Sequence, residues 1–144
     1  MQTHLLATKF FVPASWRALI PRPHLDSLLH KGIQRRLTLV SAPAGFGKTT
    51  LLANWVHSLQ TGTLENHGVA WVSLDEADKS AVRFWTYVLT ALEKSEQGAA
   101  TAALHMLQAQ HTPPLEGVLT TFINVLSQTP NSYLLILDDF YLVE

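Results

Sequence analysis

The sequence predicts an α/β protein, a parallel sheet flanked by helices, and three observations carry that expectation. Short apolar runs rich in strand formers alternate with stretches whose apolar residues recur at helical spacing, the order that builds a parallel sheet covered by helices. The first run passes directly into a glycine turn, and the second and third each end in clustered acids. Finally, 47% of the 144 residues are hydrophobic and 15% charged, with a net charge of −1, where a soluble domain usually has roughly 25% charged. Such a chain holds enough apolar material for one core, which excludes disorder as its main state.

Each element follows from local chemistry. Pro13, Pro21 and Pro23 disfavour helix in the residue before them, so the start is an extended lead-in. Leu25, Leu28 and Leu29 then share one helical face, and Gly32 is placed to end that helix. Residues 36–41, Arg36-Leu37-Thr38-Leu39-Val40-Ser41, predict a strand, and Leu51, Leu52, Trp55, Val56 and Leu59 predict a helix beyond the turn. After Gly62 and Gly68, Val69 to Leu74 reads as a buried strand ending in Asp75-Glu76-Ala77-Asp78. Ser80 or Asp78 can cap the next helix, whose apolar face is Ala81, Trp85, Val88, Leu89 and Leu92. The Ala-rich residues 98–112 can form a helix that Pro113-Pro114 stops, and Leu119, Phe122, Ile123 and Leu126 mark another, closed by Pro130. The last run, Tyr133 to Leu137, is a strand ending in Asp138-Asp139.

In parallel sheets, ligands bind at the carboxyl ends of the strands, where this sequence concentrates its polar chemistry. Ala42-Pro43-Ala44-Gly45-Phe46-Gly47-Lys48-Thr49-Thr50 is the strongest feature. A phosphate chain needs several donors on a concave backbone. Gly45 and Gly47 allow the positive dihedrals of such a nest, and the following helix adds its first amides and dipole. Lys48 is placed to reach terminal phosphates, and the Thr49 hydroxyl suits magnesium. Relative to the usual P-loop pattern, Ala42 replaces the first glycine. Asp138, at the exit of a buried strand, is the candidate magnesium carboxylate, and Asp139 the candidate for polarising water. Asp75-Glu76-Ala77-Asp78 reads first as negative charge at a helix N-terminus, with a contribution to magnesium or water as the alternative.

Other chemistries are excluded or less favoured. Without cysteine there is no disulfide scaffold and no thiolate metal site, and a reducing, cytoplasmic setting is expected. No run approaches the ~18 apolar residues of a membrane span, and Met1-Gln2-Thr3-His4 does not open a secretory signal. The seven histidines are scattered without ligand spacing, which argues against zinc, and no Gly-x-Ser-x-Gly elbow is present. Arg17, Arg22, Lys31, Arg35 and Arg36 are too dispersed for a nucleic-acid recognition element and read as surface charge or contacts to nucleotide. Trp55, Trp71 and Trp85 fall on core faces. All ten Lys and Arg lie between Lys9 and Lys94, leaving residues 95–144 acidic.

Several segments resemble the large ATP-binding LuxR-type (MalT-like) transcriptional regulators: Leu19-Ile20-Pro21-Arg22-Pro23-His24-Leu25, Leu39 to Leu52, Trp71 to Asp78, Arg83-Phe84-Trp85-Thr86-Tyr87 and Leu137-Asp138-Asp139-Phe140-Tyr141-Leu142. The resemblance covers nearly the whole chain from Leu5 to Glu144. It implies a signal-transducing P-loop ATPase of the STAND class, with residues 1–35 as lead-in and short helix and 36–144 as a partial P-loop NTPase domain. It implies ATP and Mg2+ as ligands, with nucleotide as a conformational switch and slow hydrolysis, or none, by this stretch. By the same resemblance the phosphate loop falls on Ala42 to Thr49, the Walker B magnesium carboxylate on Asp138, and an entry motif near the base on Arg22. DNA contact is expected from a carboxyl-terminal helix-turn-helix and not from this stretch, and no membrane contact is expected. A related module accompanies signalling kinases, so the effector need not bind DNA.

The family continues past its acid-pair strand with a sensor strand, and none follows Glu144, so the chain reads as a fragment. In such folds a further strand lies between the P-loop strand and the acid-pair strand. Strands 36–41 and 133–138 are therefore expected to lack a shared neighbour, leaving the chain marginally stable and prone to self-association. Two rival readings are a self-sufficient P-loop ATPase or kinase, which needs a complete sheet and an acceptor pocket, and a non-functional truncated remnant.

Overall fold

A computed structural model describes residues 4–14, 20–60, 67–111 and 113–144. The expectations placed on Met1-Gln2-Thr3, Arg17, Leu19 and Gly62 lie outside these described residues. The helices are α1 (Pro23–Gly32), α2 (Lys48–Gln60), α3 (Ala81–Ser95), α4 (Thr101–Gln108) and α5 (Leu115–Gln128). The strands are β1 (His67–Ser73) and β2 (Ser132–Asp138), with 3-10 turns at Ala7–Phe10, Glu76–Lys79 and Phe140–Leu142. The chain divides into two units, Met1–Phe11 with Asn66–Glu144, and Val12–Glu65.

In the first unit β1 and β2 pair in parallel, from Gly68 opposite Tyr133 to Ser73 opposite Asp138. Parallel neighbours need a long crossover, which here runs through α3, α4 and α5. Along α3 the apolar residues recur every three or four positions and bury Val88, Leu89 and Leu92 together with Tyr87. They share one core with Val72 and Leu74 from the β1 end, Ala103 and Leu107 of α4, and Val118 and Phe122 of α5. Backbone approach is close at Gly68, where an added Cβ would stand 2.7 Å from Ser95 Oγ and 3.0 Å from a Tyr133 ring carbon. The expected α/β class is met, with α3 packed against β1 and the two strands forming a parallel sheet.

Local contacts refine several expectations. The Ala-rich stretch becomes helical only at Thr101, because the Glu93 carboxylate gathers the turn before it. It accepts the Gly98 and Ala100 N–H groups at 2.9 and 2.7 Å and the Thr101 hydroxyl at 2.6 Å. Burial raises the Glu93 pKa, but these donors outweigh burial and hold it below the usual carboxylate range. On α5, Ile123 is 61% exposed and is not a core residue; Val118 and Phe122, one turn apart, take the buried face instead. Trp85 is half-buried, whereas Trp55 and Trp71 are buried as expected.

In the Val12–Glu65 unit, Pro23 opens α1, where its missing N–H costs no helical bond. The Trp55 indole N–H on α2 donates to His30 Nδ1 of α1 at 3.1 Å, with the rings meeting edge-on. The strand expected at 36–41 is not formed. Residues 37–43 carry no regular structure, and Leu37 and Leu39 are 85% and 84% exposed. A strand exists through its ladder, and among the described residues no segment pairs with this one.

Candidate functional site

The glycine turn takes the conformation its residues allow. Gly45 and Gly47 have φ of +81° and +79°, in the left-handed region that side-chain-bearing residues avoid. Nothing lies within 4 Å of an added Cβ at either position, so the requirement for glycine is in the backbone rather than in space. Gly47 C=O accepts the Leu51 N–H at 2.9 Å, which makes Gly47 the residue that opens α2. The amides of the first turn of α2 are those a helix cannot satisfy internally. Pro43 to Gly47 are exposed, while Ala42, Lys48, Thr49 and Thr50 are half-buried. The Lys48 ammonium turns back on its own loop, donating to the carbonyls of Ala42 at 2.6 Å and Pro43 at 3.2 Å. Those two bonds use two of its three N–H groups.

The acid pair closes β2 in the other unit. Asp138 is the last residue of the strand and is only 6% exposed. Its carbonyl accepts the Leu74 N–H at 3.0 Å, which carries the ladder one step past the Ser73–Asp138 pair. Asp139 sits at φ 57°, ψ 33°, a left-handed conformation that Asp tolerates better than most residues. That reversal starts the Phe140–Leu142 turn, with the Leu142 N–H returned to Asp139 C=O at 3.0 Å. The Phe140 ring meets Phe84 of α3 edge-on. Magnesium takes one or two carboxylates and fills its shell with phosphate oxygens and water. A buried strand-end aspartate and a hydroxyl in a helix's first turn are donors of that kind. Among the described residues no cluster of three or more metal-ligating side chains exists.

The acidic cluster after β1 stands at the N-terminus of the Glu76–Lys79 turn, and it also carries an ion-pair network. Asp78 is fully buried, and its carboxylate accepts from Lys9 Nζ at 2.5 Å, from Arg83 Nε at 2.9 Å and from the Asp75 N–H at 3.0 Å. Asp75, 48% exposed, pairs with Lys9 at 2.7 Å and caps the 3-10 turn by accepting the Ala77 N–H. Ser80 occupies the N-cap position of α3 without a side-chain bond, so neither proposed cap of α3 operates. The Lys9 ammonium lies 4.6 Å from the Tyr87 ring centroid, and the Tyr87 hydroxyl accepts the Leu6 N–H at 3.1 Å. Burial raises the Asp78 pKa, yet Lys9, the Asp75 amide and Arg83 outweigh it and hold the carboxyl below its usual range. Burial likewise lowers the Lys9 pKa, and the two carboxylates more than reverse that.

Sequence reasoning missed this network because Lys9 arrives from 69 residues away. The readable trace of it is the Asp-x-x-Asp spacing of a capping box, which the structure contains. Arg22, Lys31, Arg35 and Arg36 are exposed, consistent with surface charge, and Arg22 precedes α1. No helix among the described residues is long and apolar enough to cross a membrane.

Comparison with known proteins bears on the whole chain. A family model described as an AAA domain matches residues 4–143. The serine/threonine-protein kinase PknK of Mycobacterium tuberculosis is 30% identical over 137 residues, covering 95% of this chain and 12% of that protein. The HTH-type transcriptional regulator MalT of Yersinia pestis is 29% identical over 139 residues, covering 96% of this chain and 15% of that protein. The chain thus spans about an eighth to a seventh of the length of these relatives. By the match across residues 4–143, the chain belongs to the AAA domain family and is an ATP-binding type of module shared with large regulatory proteins.

Proposed function

We propose that the chain is the nucleotide switch of a MalT-like LuxR-family regulator, binding ATP with Mg2+ and hydrolysing it slowly at most. The observation that carries this reading is the solvent-open bend at 42–47, with two left-handed glycines leading into α2 and Lys48 at its first position. In this reading the backbone N–H groups of residues 42–50, apart from Pro43, which has none, receive the phosphates. Lys48 exchanges its bonds to the Ala42 and Pro43 carbonyls for bonds to phosphate oxygens. Thr49 and Asp138, each in its own unit, are the residues that would offer an oxygen to magnesium, which when bound would neutralise phosphate charge. Asp139, held in its left-handed bend, accepts the proton of the attacking water.

The regulatory part of the proposal draws on the relatives. One is named as a transcriptional regulator and the other as a kinase, so a common module accompanies different outputs. A nucleotide-gated conformational signal suits both. DNA binding would then belong to other parts of such a protein.

Titration calorimetry with ATP and Mg2+ tests the site. Lys48→Ala removes a charge-assisted contact and is expected to weaken ATP binding by about tenfold or more. The folded-state far-ultraviolet spectrum should stay unchanged, because the two carbonyls it releases lie outside any helix or strand. Equal affinity in the variant would defeat the assignment of the loop.

A further inference from the structure

We propose that Lys9 is a positioning residue for the Asp138 carboxylate, acting through the turn at 75–79 that it pins. The inference rests on the reading of Asp138 as the magnesium carboxylate. The path is short and lies within one unit. Lys9 Nζ bridges Asp78 at 2.5 Å and Asp75 at 2.7 Å, and Asp78 also accepts the Asp75 N–H, so the ammonium closes the turn on itself. The residue before that turn is Leu74, whose N–H holds the Asp138 carbonyl at 3.0 Å. This bond is the last rung tying β2 to β1 before Asp139 reverses the chain.

Lys9 is itself delivered with care. The Ala7–Phe10 turn packs against β1, and Leu5 and Phe10 lie on the core. The Phe10 ring stands 5.6 Å from that of Tyr87, and Lys94 Nζ lies over the Phe10 ring at 5.3 Å from its centroid. A lysine only 7% exposed, seated by aromatic and backbone contacts onto two carboxylates, braces the exit of β1. When the brace is absent, the exit turn loosens, the Leu74 rung weakens, and the Asp138 side chain loses the backbone position from which it would meet a cation. Groups that orient a metal ligand typically change metal affinity by about 10–100-fold when removed.

The test uses the 144-residue chain with Lys9→Met, Lys9→Arg, Asp75→Asn and Asp138→Ala. Asp75 is half exposed, so its variant remains available should Lys9→Met fail to fold. ATP affinity is measured with and without Mg2+, beside amide hydrogen exchange at Leu74. Lys9→Met and Asp75→Asn are expected to leave metal-free ATP binding unchanged and to reduce the gain in affinity from Mg2+ by about tenfold. Leu74 should exchange faster in both, and Lys9→Arg should restore most of the gain. A purely structural brace would lower the melting temperature while leaving the Mg2+ gain and Leu74 protection as in the parent, and that result overturns the proposal. If Asp138→Ala keeps the full Mg2+ gain, or the parent chain binds no ATP, the reading of the site fails and takes this inference with it. If Asp138→Ala loses the gain while the Lys9 and Asp75 variants keep it, the inference alone fails.

Discussion

Replacing Asp78 by alanine removes the single group on which three donors converge. The carboxylate is fully buried, so its loss leaves Lys9 with only the half-exposed Asp75 and leaves the Arg83 Nε–H and the Asp75 N–H without their acceptor. Removing one partner of a buried ion pair costs about 3–5 kcal/mol; the surviving Lys9–Asp75 pair argues for the lower end, about 3 kcal/mol. For a domain of this length each kcal/mol moves the melting temperature by about 3–4 °C, so a fall of about 10 °C is expected. Differential scanning calorimetry at neutral pH measures it.

The pH dependence of that difference gives a second check. The folded-state pKa of Asp78 is depressed, so its contribution is complete above the unfolded value of about 3.9 and is lost as pH falls through the lower folded value. The Lys9 pKa is raised, so its contribution is complete below about 10.4 and is lost as pH rises through the folded value. The gap between parent and variant should therefore be flat across neutral pH and should close at both extremes. A shift under about 2 °C at neutral pH, or a gap that persists undiminished in strong acid, would refute the reasoning.

Val118→Ala should cost about 2 kcal/mol in urea unfolding, from lost transfer energy and a residual cavity, whereas Ile123→Ala should stay within about 0.5 kcal/mol. The reverse order would mean that the burial assigned to α5 is wrong. Glu93→Ala should cost about 1–2 kcal/mol and speed amide exchange at the start of α4, because three donors lose a charged acceptor. Since the native Glu93 pKa is depressed, that cost should be present above about pH 4.3 and vanish as pH falls through the folded value.

What was legible in the sequence was local. The turn at 42–47 could be read because two glycines around one exposed aromatic, followed by a lysine and a helical apolar period, specify a conformation within nine residues. β1, β2 and α3 could be read because alternation between strand formers and a helical period survives without tertiary help. The segment 36–41 was misread because its composition matches a strand, yet pairing is a property of a neighbour, and Leu37 and Leu39 lie exposed without one. The buried face of α5 was not legible for a related reason. An apolar residue beside Phe122 fits the helical face nearly as well as Val118 does, and only the position of α4 decides between them.

The acidic run after β1 marks where local reading stops. Charge near a helix N-terminus and charge near a cation both explain why acids gather there, and neither reading explains why Asp78 is fully buried. A carboxylate is withdrawn from water only when donors replace its hydration. The pattern at 75–78 therefore called for a cation from elsewhere, and the chain had one in Lys9, the first lysine of the sequence. The buried Lys9 ammonium fastens the opening residues to the turn that follows Leu74, whose N–H holds the Asp138 carbonyl.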